Sequence, residues 1–230
     1  MILEASKTPR IFLTTGVDWS FVAAADLGNN GGTTTSYTAA YTVGSGKNRM
    51  LVVALAGDSS IDDVTGITYG GIAMTLAGKQ PAVQTDNRVM YLYTLLNAPS
   101  GSNNVVITAS TAHWLIAVAA DYAGIAQSGQ TDAHTTNIGA DAAISTLTTS
   151  LTTVSDRTLV ILLENGFDGS TSKPTAGAGL TLRVVNASFG LMGIFDSGSP
   201  VTPPGAHSFT TNRAVASTTI SHVVVSFKHA

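Results

Sequence analysis

What most limits this chain is the shortness of its apolar periodicities. Leu51-Val-Val-Ala-Leu55, Ile67-Thr-Tyr69, Val89-Met-Tyr-Leu-Tyr93, Val105-Val-Ile-Thr108 and Leu115-Ile-Ala-Val118 are runs or alternations of strand length. Each is closed within a few residues by Gly, Asn, Pro or Ser, the residues that end strands and make turns. No stretch sustains a helical period; Phe21 to Leu27 and Ala140 to Ile144 have room for one helical turn at most. Short strands at intervals of about 8–15 residues predict an all-β antiparallel sandwich rather than βαβ units.

The chain also repeats itself. Arg49-Met-Leu-Val-Val-Ala-Leu-Ala-Gly57 is answered by Arg157-Thr-Leu-Val-Ile-Leu-Leu-Glu-Asn165, an offset of 108 (157 − 49). A Thr-rich alternating run precedes each block, Thr35 to Val43 and Leu147 to Val154. Gly-punctuated turns, a Pro-Gly turn and a closing apolar strand follow in the same order, ending at Trp114 to Tyr122 and at Ser221 to Phe227. These observations predict one two-sheet, jelly-roll-like sandwich over residues 33–230, built from related halves at about 33–125 and 140–230. Two small sandwiches joined near Ala126 to Asp141 are the alternative.

Residues 1–32 fall outside the repeat. Ile11, Phe12, Leu13, Trp19 and Phe21 are too apolar for a solvated tail, and Gly28-Asn-Asn-Gly-Gly32 behind them reads as a hinge. The segment is therefore expected to be an arm that buries itself, either on the edge of its own sandwich or on a neighbouring subunit or particle surface.

Charge is scarce: Asp, Glu, Lys and Arg make up 11% of the chain, whereas a small soluble domain usually covers about a quarter or more of its surface with them. Thr, Ser, Asn and Gly cover this one, and such a skin repels other copies only weakly. The net charge of −3, with 11 basic residues thinly spread, gives no footprint for nucleic acid or an anionic membrane. With no cysteine, a disulfide scaffold is excluded. The start Met1-Ile2-Leu3-Glu4 lacks the basic and apolar blocks of a secretory signal.

Motifs for chemistry are weak. Leu51 to Ser59, ending Gly57-Asp58-Ser59, resembles the nucleophile block of the GDSL hydrolases, but the Asp-x-x-His and Gly-x-Asn-Asp blocks that family uses are missing. Asp58, Asp62 and Asp63 in one half, and Glu164, Asn165 and Asp168 in the other, read as equivalent strand-ending loops. Their oxygens suit calcium in type though not in spacing. The five histidines, His113, His134, His207, His222 and His229, form no zinc motif. No catalytic residue, cofactor or metal site is expected. Tyr91 and Tyr93 share one strand face and would make a sugar-binding platform if that face were open, or core if it were closed.

Four blocks carry a resemblance: Asn48 to Val53, Thr68 to Thr75 with its Thr-Tyr-Gly-Gly, Leu92 to Thr108 with its Pro-x-Gly, and Val224 to Lys228. In this order they resemble the β-sandwich domains of tailed-phage virion proteins and bacterial surface proteins. The resemblance implies a structural or adhesive module without catalytic residues. The expected function is a non-enzymatic virion protein, a capsid decoration or tail-associated subunit made in the host cytoplasm. It would associate with itself or other virion proteins through the sandwich and the arm. A carbohydrate-binding or adhesin module, with a host glycan as partner, is the alternative.

Overall fold

The computed structural model describes residues 18–81, 88–139, 144–167, 172–186, 192–217 and 219–230. The first half contains β1 (Ser20–Asn29), β2 (Ser36–Val43), β3 (Met50–Asp58), β4 (Val64–Tyr69), β5 (Ile72–Ala73), β6 (Thr75–Gln80), β7 (Arg88–Leu96), β8 (Gly101–Ala109) and β9 (Leu115–Ala123). The second contains β10 (Ala133–Ile138), β11 (Ile144–Thr153), β12 (Leu159–Phe167), β13 (Pro174–Ala176), β14 (Thr181–Val185), β15 (Met192–Asp196), β16 (Gly205–Ser217) and β17 (Thr219–Phe227). No helix occurs among the described residues, and all the strand pairs within the sheets are antiparallel, as expected for an all-β sandwich. Phe21 to Leu27, which had room for a helical turn, runs as extended β1.

The sheets number four rather than the expected two. Their orders are β1-β9-β3-β7-β6, β2-β8-β4-β5, β10-β17-β12-β15-β14 and β11-β16-β13. Three cores show how they stack. Leu51, Val53, Leu55, Tyr91, Ile107 and Ala117 fill the space between the two sheets of the first half. Val160, Leu162, Phe195, Phe209 and Val224 do so in the second. Met50, Val52, Ala54, Val118 and Tyr122 meet Leu159, Ile161, Ile194, Val223 and Val225 between the two five-stranded sheets. The molecule is thus a slab of four layers, outer, inner, inner, outer. The inner sheets are covered on both faces, which explains why β3, β9, β12 and β17 lack an apolar/polar alternation. The outer sheets are wet on one side, so β2 and β11 alternate.

The two halves share one plan. Matching β1 with β10, β9 with β17, β3 with β12, β7 with β15 and β6 with β14 turns one inner order into the other. The ladders agree residue by residue: Met50 pairs with Tyr122, and Leu159 with Phe227; Val43 pairs with Gly101, and Thr153 with Gly205. Even a β-bulge recurs, between Leu76 and Gly78 and between Leu182 and Val184. Asn48 and Arg157, which lead into β3 and β12, both hold a left-handed backbone with φ of 54° and 55°. This alignment has an offset of 109 (157 − 48), one more than the sequence repeat suggested. A one-residue slip turns a strand's side chains to the other face, and here it moves Leu159 from the outer core to the central one.

Contacts across the centre are reciprocal. β1 lies against β14 as β10 lies against β6, and β9 lies against β15 as β17 lies against β7. Two equivalent bodies meeting through equivalent patches form a two-fold, isologous type of interface, here within one chain.

Candidate functional site

Ile11, Phe12 and Leu13 lie outside the described residues. The other two apolar residues of the N-terminal segment sit in the chain's own fold. Trp19 is buried in the central core with its ring edge-on to Tyr122 at 6.2 Å. Phe21 packs on the same tyrosine at 5.8 Å, and the Arg183 guanidinium of the second half lies 4.3 Å from its ring centroid. Arg183 in turn holds buried Asp196 through two hydrogen bonds, Nε at 2.6 Å and Nη2 at 3.0 Å. β1 pairs with β9 along its length, so this segment is the edge strand of an inner sheet.

Tyr91 and Tyr93 are 2% and 7% exposed and belong to the first half's core. The Tyr91 hydroxyl donates to Asp62 at 2.9 Å, and burial raises its pKa. Neither ring presents an open face. Trp114 does: it is 41% exposed, and its ring packs over Gly32, where a Cβ would come within 2.5 Å of the indole nitrogen.

Ser59 accepts the Ile61 amide at 3.1 Å. The fold brings together a histidine and an acid that sequence spacing did not connect, His113 Nδ1 and Asp63 Oδ2, 3.1 Å apart. His113 Nε2 is buried against Gly57, which leaves no space there for a reacting group. Asp58, Asp62 and Asp63 are indeed at the end of β3 and in the loop behind it, with Lys79 bonded to Asp62 and holding its pKa down. Glu164 and Asn165 are not in a loop. They lie within β12 and are fully buried, as their counterparts Leu55 and Ala56 are within β3. Among the described residues no three His, Asp or Glu side chains converge as a metal site; Asp168 lies outside them.

Two surfaces stand out. The strands of the outer sheets contain a single Asp, Glu, Lys or Arg, and that residue, Arg213, is buried. Their outward rows are rich in hydroxyls and amides that close across the strands, with Ile72 and Val215 exposed beside them. Thr148 meets Thr210 at 2.8 Å, Ser150 meets Ser208 at 3.1 Å, and Thr146 donates to Asn212 at 3.0 Å. On the opposite side of the slab, Thr65 donates to Thr108 at 3.1 Å. The fold therefore carries two neutral, hydrogen-bonding faces, one on each side.

The missing charge is partly inside. Between the sheets of the second half, Arg213 Nε donates to Glu164 Oε1 at 2.7 Å with both side chains fully buried. Arg213 Nη1 also donates to the Ser172 carbonyl at 2.8 Å. His222 stands opposite Glu164 across β12 and β17, and its two ring nitrogens each lie 2.8 Å from a threonine hydroxyl, Thr149 and Thr211. Burial, then the nearby Arg213, pushes the His222 pKa down to about 3, so the ring is neutral. Burial raises the pKa of Glu164 and Arg213 opposes it. A carboxylate and an imidazole inside otherwise apolar strands were the available sequence signal.

No protein family matches this sequence, and no curated protein matches it. Fold and surface define the class: an all-β, four-layer sandwich with neutral outer faces.

Proposed function

We propose that the protein is a non-enzymatic structural subunit of a virus particle, a capsid decoration or tail-associated protein that assembles through its sandwich faces. The observation that carries this reading is the absence of any exposed charged side chain on the strands of both outer sheets. Desolvating such a face strips no ion of its water, and its hydroxyls re-pair with those of a neighbour at little cost. Faces on opposite sides of a slab also let one copy touch two neighbours. The motif resemblance to virion sandwiches points the same way.

Native mass spectrometry and electron microscopy test the reading. The expected result is a ring, a trimer or a particle-bound lattice, lost when Thr38→Lys and Thr148→Lys place a charge on each face of a chain that stays folded. A monomer, or an assembly indifferent to both lysines, overturns it.

One feature favours a second reading, a carbohydrate-binding or adhesin module: the half-exposed indole of Trp114, packed over Gly32. A monomer whose glycan-array signals vanish in Trp114→Ala would establish that reading instead.

A further inference from the structure

Because the ladders of the two halves correspond, each residue of the buried network has a counterpart in the first half. Adding 110, 109, 104 and 105 along β2, β3, β8 and β9 takes Ala39 to Thr149, Leu55 to Glu164, Ile107 to Thr211, Ala109 to Arg213 and Ala117 to His222. Five apolar positions in one half are five polar, mutually bonded positions in the other. The first half shows that this fold accepts an apolar set there, with Leu55, Ile107, Ala109 and Ala117 all in its core. A buried ion pair seldom stabilises a protein more than well-packed apolar residues in the same place. Stability is thus a poor account of the network.

Selectivity is a better one. A chain with two halves of one strand order can lay the outer sheet of one half on the inner sheet of the other, within one chain or between two copies, the typical misassembly of repeated folds. If β8 lay over the second inner sheet, Ile107 and Ala109 would face Glu164 and His222 and leave both without partners. If β16 lay over the first, Arg213 would be buried against Leu55 and Ala117. Neither exchange leaves the charges paired. We infer that the Glu164–Arg213–His222–Thr149–Thr211 network is a pairing code that admits only β11, β16 and β13 onto the second inner sheet, and so keeps each outer sheet off the other half.

The test installs the first half's residues in the full chain: Thr149→Ala, Glu164→Leu, Thr211→Ile, Arg213→Ala and His222→Ala together. Light and heavy-isotope-labelled chains are unfolded as a mixture in urea, refolded and diluted, and native mass spectrometry counts mixed dimers that survive dilution. Persistence on dilution separates exchanged dimers from reversible contacts between faces, so the result is independent of the proposed assembly. The five-fold variant is expected to keep its β-sheet circular dichroism and to form exchanged dimers about tenfold more often than the native chain. An unchanged dimer fraction overturns the inference. Should the five-fold variant fail to fold, the pair Glu164→Leu with Arg213→Ala decides: raised exchange supports the code, and a native-like fraction refutes it.

Discussion

The imidazole of His222 sits between two threonine hydroxyls, and its pKa of about 3 makes a pH prediction. In the unfolded chain the group titrates near 6.5. Below that value the unfolded state takes up a proton that the folded state refuses, so stability falls as pH drops from about 6.5 towards 3. Glu164 acts in the opposite sense, since burial holds its pKa up and protonation relieves it. Urea midpoints measured between about pH 7 and pH 5, above the range of most carboxylates, should decline for the native chain and stay nearly flat for His222→Gln. Equal slopes would remove His222 as the cause. Arg213→Ala leaves Glu164 buried without its guanidinium and should cost about 3–5 kcal/mol by urea denaturation.

Strands β3 and β12 show how a local exception is built into an element. Gly57 and Gly166 occupy equivalent positions 109 residues apart, and each is covered by a side chain from a neighbouring strand or loop. A Cβ at Gly57 would come within 2.7 Å of His113 Nε2, and one at Gly166 within 2.5 Å of the Arg213 guanidinium carbon. Both glycines are thus cradles, kept bare so that a cationic or imidazole group fits over the strand. Gly166→Ala should displace Arg213 from Glu164 and destabilise the protein by about 1–3 kcal/mol, the usual cost of overpacking. Gly57→Ala should instead disturb His113 and Asp63 and leave the His222 pH dependence intact. A denaturation series with both variants checks this, and an additive double variant would show that the two cradles act independently.

At the level of the complete slab, the central core joins the halves. Gly78 on β6 lies so close to β17 that a Cβ would come within 2.8 Å of Val223. Phe21, Tyr122 and Arg183 fasten another part of the same interface, with Asn186 donating to Asp26 at 2.8 Å nearby. With so much apolar surface shared, the native chain should melt in one calorimetric transition. Gly78→Leu drives a wedge between the inner sheets and should split or broaden that transition; a single sharp one at the native temperature would show that the interface yields without cost.

The all-β class and most strand positions were readable from the residues, because strand length and turn chemistry are local properties. Leu51 to Gly57 and Leu159 to Leu163 were recognisable as strands, and the residues leading to Gly101 and Gly205, which open β8 and β16, as turns. The number of sheets was not readable. An apolar run buried on both faces looks the same whether it lies central in one sandwich or between two, and the difference is made by contacts far apart in the chain. The face of each side chain was equally hidden. The matching arginines, Arg49 and Arg157, set an offset of 108, but hydrogen-bond register requires 109, and that single residue turns Glu164 from the face of Ala56, which looks into the central core, to the face of Leu55, which looks towards the outer sheet. Composition announced a chain poor in charge; packing alone settled which charges went inside and which faces were left neutral.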